Sequence, residues 1–185
     1  MTTPVSLTEV KAHCRVDGTD SDAVLTALLN AAVDHLDGYS GILGRCMVEQ
    51  SWRVDLADWP AGGLIRLPFP DVSAITSIKY YDEDNAEQTV DGADYQRVQD
   101  VLGSVVRLVD NFDAPAVYDD RLDAVHVTFV AGFGNAAAVP APLKVAIMLL
   151  VSHWFEHREA SVVGGIAELP FAVSALVAPY RRVGV

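Results

Sequence analysis

The most apolar stretch of the chain runs from Leu143 to Phe155, where Lys144 is the only residue with a full charge. A helix that is apolar on every side is typically a buried helix. Pro142 suits its first turn, because proline lacks the backbone N–H that would be unpaired there. At about 1.5 Å per residue the stretch is about 20 Å long, shorter than the bilayer core of about 30 Å. The pattern therefore predicts the central, buried helix of a soluble domain.

Two further helices are predicted near the N-terminus. Ser6 and Glu9 have the spacing of a capping box, in which each side chain bonds to the other residue's backbone N–H, and this predicts a short helix over residues 7–14. An acidic, cap-forming start at residues 19–22 precedes a second helix, for which Gly41 is the predicted C-terminal stop. The apolar positions of this second helix follow helical spacing: Val24, Leu25, Leu28, Leu29, Ala32, Val33 and Leu36.

The hydrophobic period changes to two near Cys46 and returns to a helical period near Pro140. From Cys46 to Leu56 the apolar side chains alternate with Glu49, Ser51, Arg53 and Asp55, which is typical of a strand with one buried face. Further short strands are predicted over residues 64–67, 77–82, 95–98, 104–109 and 124–131. Several short strands at close spacing indicate a small antiparallel sheet or barrel.

The order of these elements predicts an α+β fold in which helices flank a β-rich insertion. We expect a helical core domain from residues 1–45 and 132–160, made of two N-terminal helices and the central helix. Residues 46–131 are expected to form the inserted antiparallel β-rich lobe, which projects as one insertion, and residues 161–185 a flexible C-terminal tail.

Composition limits the function classes. The chain has 185 residues, of which 51% are hydrophobic, so wholesale disorder is excluded. The net charge of −12 argues against wrapping nucleic acid through phosphate contacts. Cys14 and Cys46 provide neither a metal site nor a disulfide framework, and we expect both to be reduced and buried. The first residues lack the pattern of a signal peptide, so we expect synthesis in the cytoplasm.

One motif is compatible with zinc chemistry. His153, Glu156 and His157 fit the H-x-x-E-H pattern, in which two histidines on one helix face hold zinc and the glutamate is the base. A catalytic zinc needs a third protein ligand, which in that enzyme class comes from a helix well downstream, whereas this chain ends at Val185. We therefore expect no enzyme, no metal and no cofactor. A small zinc-dependent hydrolase is the alternative function, and a plain cytoplasmic interaction module is a third.

Several stretches in a fixed order along the chain carry a family resemblance. They are Val5–Asp17, the amphipathic helix that ends near Tyr39-Ser40-Gly41, Val127–Gly134, Val139-Pro140, Leu143–Val151, His153–Glu159, Leu169-Pro170 and Leu176–Arg181. Together they resemble the head–tail connector, or adaptor, proteins of long-tailed bacteriophages, and the adaptors of gene transfer agents are equally similar. The resemblance covers both ends and the main helices, and the β-rich lobe matches less specifically.

The resemblance implies a structural virion protein. Such adaptors form a closed homo-oligomeric ring, expected here as a dodecamer, under the portal protein at the capsid vertex. The helices make the ring, the C-terminal segment reaches the portal, and the other face receives the stopper and tail-completion proteins. DNA passes through the lumen without specific binding, and no membrane is involved. We expect the protein at the head–tail interface of the particle, after synthesis in the bacterial cytoplasm.

The predicted portal-binding residues lie in the tail: Leu169, Pro170, Phe171, Leu176, Pro179, Tyr180, Arg181 and Arg182. These apolar side chains are too many to remain in water as an isolated arm. Arg181 and Arg182 are a dense positive charge in an acidic chain and suit an acidic rim on a partner. Gly164 and Gly165 are expected to act as a flexible joint. The alternative is that the tail folds back and covers the central helix of its own domain, and in a ring one patch can do both.

Overall fold

The structure is a computed structural model that describes residues 2–157 and 171–182. The chain divides into two compact units. We call the first, Met1–Val48 with Phe133–Val185, the helical unit, and the second, Glu49–Gly132, the β unit. The α-helices of the described part belong to the helical unit and the strands to the β unit. The predicted α+β class, with helices on both sides of an antiparallel β-rich segment, is confirmed.

The helical unit is arranged around one helix. Its α-helices in the described residues are α1 (Leu7–Cys14), α2 (Asp22–Leu36), α3 (Ala141–Glu156) and α4 (Phe171–Val177). Helices α1, α2 and α4 each pack on α3, which confirms the central helix predicted from the apolar stretch. Short 3-10 helices precede α3 at Ala136–Ala138 and follow α4 at Ala178–Tyr180. Among the described residues, no helix combines the length and the apolar character needed to cross a membrane.

The start of α1 forms as its sequence predicts. The Ser6 hydroxyl accepts a hydrogen bond from the Glu9 N–H at 3.2 Å, and the Ser6 N–H donates to the Glu9 carboxylate at 2.7 Å. Val5 and Val10, on either side of this cap, are both buried. The capping box therefore fixes the first turn while the two valines attach it to the core.

The end of α2 differs from the prediction. The helix ends at Leu36, five positions before Gly41, and Gly38 has a φ of +76°. The chain then folds back over the helix end, where the Leu43 N–H donates to the Leu36 carbonyl at 3.1 Å. A Cβ at Gly41 would collide with the backbone of Leu36 and Asp37. Gly41 is thus required by a close backbone approach, whereas the helix itself has already ended.

The core of the helical unit joins all of its helices. Its buried side chains include Leu25, Leu29, Val33 and Leu36 from α2, Leu143, Ile147, Leu150 and Val151 from α3, Val173 and Val177 from α4, and Leu43 and Met47 from the connecting loop. The apolar pattern of the sequence predicted that α3 would be buried on every side, but the structure shows that it is not. Val145 is exposed, and Met148 and Leu149 are half-buried, so α3 carries an apolar outer stripe.

The β unit contains two antiparallel sheets. Its strands are β1 (Gln50–Leu56), β2 (Leu64–Arg66), β3 (Val72–Tyr81), β4 (Glu87–Thr89), β5 (Tyr95–Asp100), β6 (Gly103–Leu108) and β7 (Val125–Ala131). The four-stranded sheet has the order β1-β7-β3-β4, and the three-stranded sheet has the order β2-β6-β5. Strands β1 and β7 pair from Gln50 with Ala131 to Leu56 with Val125, so the chain enters and leaves this unit on neighbouring strands.

Every predicted strand is present, with three differences. The strand predicted from Cys46 begins only at Gln50 as β1, because Met47 and Val48 are buried in the core of the helical unit instead. Strand β3 begins at Val72, five residues before its predicted start at Ser77. Its pairing with β7 shifts register between Val72 and Ala74 and again between Ile75 and Ser77, and such irregularities remove the period-two pattern from the sequence. Strand β4 was not predicted, because it has only three residues and all three are exposed.

The segment between β2 and β3 contacts both sheets of the β unit. The Phe69 ring lies 5.0 Å from the Trp52 ring and 6.3 Å from the Phe129 ring, measured between centroids. Ser104 on β6 is fully buried, and its hydroxyl donates to the Pro70 carbonyl at 2.9 Å and accepts from the Val72 N–H at 3.4 Å. The buried hydroxyl therefore ties β6 to the start of β3 without leaving its own polar group unpaired.

Candidate functional site

The C-terminal segment, residues 171–182, packs on α3 instead of extending from the helical unit. Val173 and Val177 are one turn apart on α4 and are both buried in the core that α3 and α2 share. This packing corresponds to the fold-back alternative for the predicted tail. Leu169, Pro170 and the Gly164-Gly165 pair lie outside the residues that the structure describes.

The far end of the C-terminal segment is held by the loop that follows α2. The Arg182 N–H donates to the Leu43 carbonyl at 2.8 Å. Gly44 has a φ of +61°, and a Cβ there would lie only 3.3 Å from the Arg182 Cβ. The Tyr180 ring meets the Phe133 ring edge to face, with centroids 6.4 Å apart. The segment is therefore fixed by its valines at one end and by backbone contacts at the other.

The predicted portal-binding residues of this segment divide into exposed and half-buried groups. Phe171 is 88% exposed, and Pro179 and Arg181 are exposed as well. Leu176, Tyr180 and Arg182 are half-buried. The Arg181 side chain makes no hydrogen bond or ion pair with any residue in the described part of the chain. The segment thus presents an aromatic ring, a proline and a cation from a base that the helical unit holds in place.

The sequence-based list did not separate these exposed residues from the residues that anchor them. Val173 and Val177 hold the segment on α3, and neither was in the list of site residues. Their spacing of four positions was the available signal, because side chains at i and i+4 lie on one helix face. Which face of α4 turns inward depends on contacts with α3, which the sequence of this short helix does not specify.

The histidine motif at the end of α3 places its two histidines together. The rings of His153 and His157 stack with centroids 4.8 Å apart, as the i, i+4 spacing predicts. Residues 2–157 and 171–182 contain no group of three or more His, Cys, Asp or Glu side chains placed to hold a metal ion. These residues alone do not form the ligand set of a catalytic zinc, which needs three protein ligands.

Cys14 at the end of α1 is a free, half-buried thiol, and Cys46 is free and buried. Burial raises the pKa of the Cys14 thiol above its ordinary value, and the nearby Glu156 carboxylate raises this pKa further. Because the thiolate is the reactive form, a raised pKa makes Cys14 a poor nucleophile at neutral pH. The expectation that both cysteines are buried holds fully for Cys46 and partly for Cys14.

Comparison with known families gives one match over nearly the whole chain. The family described as head completion protein matches residues 4–183. No curated protein matches the sequence.

Solved structures of similar chains come from gene transfer agent (GTA) particles. A chain from the neck of an empty GTA particle, computed with C6 symmetry, is 26% identical with a TM-score of 0.76, over 98% of this chain and 91% of that one. A chain from the virion of a native GTA particle is 26% identical with a TM-score of 0.77, over 100% and 94%. A chain from the neck of a native GTA particle, computed with C12 symmetry, is 26% identical with a TM-score of 0.69, over 100% and 97%.

Proposed function

The chain belongs to the head completion protein family, and on that premise we propose that it forms the ring between the portal and the tail of its particle. It is a structural protein of the virion with a head–tail connector role, in agreement with the resemblance to phage and gene transfer agent adaptors. The observation that carries the proposal is the family match over residues 4–183, both ends of the chain included.

The ring is proposed to be a dodecamer in which neighbouring helical units touch. Similar chains come from GTA necks computed with C6 and C12 symmetry, which supports an oligomeric ring. The outer stripe of α3 supports a contact between copies, because Val145, Met148 and Leu149 leave apolar surface exposed or half-exposed along one side of the helix. A ring contact joins two different patches on neighbouring copies, so α3 of one copy meets another surface of the next.

The exposed side of the C-terminal segment is the proposed portal contact. Phe171 offers a large apolar anchor, and aromatic and arginine side chains carry most of the binding energy in typical interfaces. Arg181 adds a positive charge suited to an acidic rim on the portal. Since Val173 and Val177 already hold the segment on α3, little ordering entropy is lost when it docks.

The charge of the chain suits a ring through which DNA moves. Each copy has a net charge of −12, so a ring of copies repels phosphate groups wherever acidic side chains face the lumen. We propose that DNA passes through the lumen without specific binding, and that the face away from the portal receives the stopper and tail-completion proteins. Synthesis in the bacterial cytoplasm precedes assembly in this proposal.

A catalytic role is not part of the proposal. The zinc-dependent hydrolase considered from His153, Glu156 and His157 has no support from the family match or from the similar structures, which come from GTA necks and virions.

The portal contact is tested by changing exposed residues while the anchors stay in place. We expect Phe171→Ser and Arg181→Glu each to weaken binding to portal-containing heads by about 10-fold or more, because truncating an interface anchor costs about 2 kcal/mol. Val24→Ser is the matched control, since Val24 is an exposed apolar residue of α2 in the same unit. The measurement is co-sedimentation of the purified variant with tailless heads.

Circular dichroism before the binding assay establishes that each variant is folded. If folded Phe171→Ser and Arg181→Glu proteins bind heads as tightly as the Val24→Ser control, the portal contact lies elsewhere on the chain.

A further inference from the structure

The last residues of the C-terminal segment lie beyond its buried anchors. Val173 and Val177 are buried, whereas every residue of 178–182 is exposed or half-buried. This end carries Pro179 and Arg181, two exposed residues of the proposed portal contact. A side chain on an unsupported chain end loses conformational entropy when it binds a partner. A fixed position for Arg181 therefore requires contacts other than those of the two valines.

A cluster of three side chains supplies such a contact. The Phe133 ring meets the Tyr180 ring edge to face, with centroids 6.4 Å apart. The guanidinium carbon of Arg45 lies over the same Phe133 ring, 5.7 Å from its centroid. Both arrangements are attractive, because the edge of an aromatic ring is positive and its face is negative. We call Arg45, Phe133 and Tyr180 the Phe133 cluster.

Two members of the Phe133 cluster are fixed to the loop that follows α2. The Phe133 N–H donates to the Met47 carbonyl at 3.1 Å, and the Arg45 carbonyl accepts from the Gly38 N–H at 2.9 Å. The third member, Tyr180, directly precedes Arg181 in the chain. The ring contact between Phe133 and Tyr180 therefore connects a fixed loop to the residue next to the proposed portal-binding cation.

The turn that contains Phe133 does not itself require an aromatic residue. Gly132 and Gly134, on either side, have φ values of +131° and +118°, so the turn after β7 depends on glycine at these two positions. The Phe133 side chain is half-buried and packs against the core of the helical unit. A smaller apolar residue would keep part of this packing but would lose the ring contacts with Tyr180 and Arg45.

We propose that Phe133 is a positioning residue for the portal contact. Through the Tyr180 ring it holds Arg181 at one place on the helical unit, without contacting the portal itself. This inference rests on the portal contact proposed above. It adds a residue from the middle of the chain to a contact whose other members lie in the C-terminal segment.

Hydrogen exchange in the purified full chain tests whether the ring holds the chain end. Phe133→Leu keeps an apolar side chain but removes the ring. We expect the Arg182 amide, which bonds to the Leu43 carbonyl, to exchange about 3- to 10-fold faster, the ratio that corresponds to the loss of one aromatic pair. Tyr180→Leu removes the same pair from the other side and should give the same acceleration. The Val177 amide is the control, because its side chain stays buried, and its rate should not change.

Two results of the exchange experiment would overturn the inference. An unchanged rate at the Arg182 amide in both variants would show that the ring pair does not hold the chain end. An equal acceleration at the Arg182 and Val177 amides would show that the substitutions only weaken the helical unit as a whole.

A double-mutant cycle tests the effect on binding to tailless heads. Phe133→Leu alone should weaken binding about 3-fold or more, because the chain end must then be ordered on docking. In the Phe133→Leu background, Arg181→Glu should weaken binding by only about 3-fold instead of about 10-fold, since an arginine that is not held in place contributes less. Phe171→Ser, at the other end of the segment, should have the same effect in both backgrounds. Phe133→Tyr keeps the ring and should bind as wild type does.

The outcomes separate this inference from the proposed portal contact. Circular dichroism first establishes that every variant is folded. If Arg181→Glu and Phe171→Ser both weaken binding but Arg181→Glu has the same effect with and without the Phe133 ring, the positioning role is overturned while the portal contact remains. If neither Arg181→Glu nor Phe171→Ser weakens binding, the proposed portal contact fails, and the positioning role fails with it.

Discussion

Ser6 and Glu9 illustrate how two residues determine a local structure that sequence alone predicts. Hydrogen bonds from the Ser6 hydroxyl and backbone N–H hold the pKa of the Glu9 carboxyl below its ordinary value, with a smaller contribution from Lys144. A carboxyl group with a lowered pKa in the folded state stabilises the protein above its unfolded pKa. This contribution is lost as the pH falls through the folded value.

Ser6→Ala should lower the free energy of unfolding by about 1 kcal/mol at neutral pH, which is typical for the loss of an N-cap side chain. Because this substitution removes the main cause of the lowered Glu9 pKa, the difference from wild type should shrink in acid, below the ordinary glutamate value of 4.5. Urea unfolding at neutral and acidic pH measures both effects, with Thr8→Ala as the control on the same turn. A difference that grows on acidification would contradict this assignment.

At the scale of single elements, α4 has two faces with different roles. Its inner face holds Val173 and Val177 in the core of the helical unit, while Phe171 projects into water. A helix of seven residues is too short to be stable alone, so its packing on α3 is what maintains it. The same packing allows the exposed side of the C-terminal segment to be presented to a partner in a fixed position.

Val177→Ala should therefore lower the free energy of unfolding by about 1–3 kcal/mol, through lost burial and the cavity left behind. Ser174→Ala, an exposed change on the same helix, should stay within about 0.5 kcal/mol of wild type. Denaturant unfolding measures the free energy of unfolding of both variants.

Truncation after Gly165 removes both valines and should destabilise the helical unit further. A truncated chain that is as stable as the full chain would show that α4 lies outside the core.

Some elements could be predicted because their signals are local. The capping box of α1 lies within four residues, and the alternation of β1 lies within seven, so both are visible in the sequence. The start of β3 depends on register shifts against β7, a strand about fifty residues away in sequence. The stop of α2 depends on the loop that folds over Leu36. Such non-local contacts leave no periodic pattern in the chain.

The candidate site, too, was predictable from the sequence only in part. The concentration of apolar and basic residues in the tail was visible in the sequence, but its docking on α3 through Val173 was not. Val101 and Leu102 likewise resemble strand residues in the sequence, and only the pairing of Asp100 with Gly103 places them in the turn between β5 and β6. Whether an apolar residue is exposed depends on the packing of the whole unit, and a short stretch of sequence does not show that packing.

At the scale of the whole molecule, the chain passes between the two units on adjacent segments. The Phe133 N–H donates to the Met47 carbonyl at 3.1 Å within the helical unit, and Gln50 pairs with Ala131 within the β unit. An insertion whose ends are neighbours is compatible with independent folding, because closing its ends costs little entropy. We therefore propose that the β unit is an autonomous inserted domain within the helical core.

Residues 49–132 produced alone should fold into a stable β domain. The expected results are a β-type circular dichroism spectrum, cooperative thermal unfolding and dispersed amide NMR signals. A helical-unit chain in which a short glycine linker joins Val48 to Phe133 is the complementary half and should retain its helical spectrum. An isolated β unit that remains unfolded in buffer would contradict the proposed domain division.

The central claim is that copies of this chain form the ring at the head–tail junction of a virion. Electron cryomicroscopy of the particle neck, with the two units fitted separately into the map, tests this claim most directly. The account predicts a ring below the portal in which twelve copies are related by the C12 symmetry used for the neck of the similar native GTA particle, with Phe171 facing the portal. Particles whose neck contains no density for this chain, or heads that gain tails normally after its gene is deleted, would contradict the account.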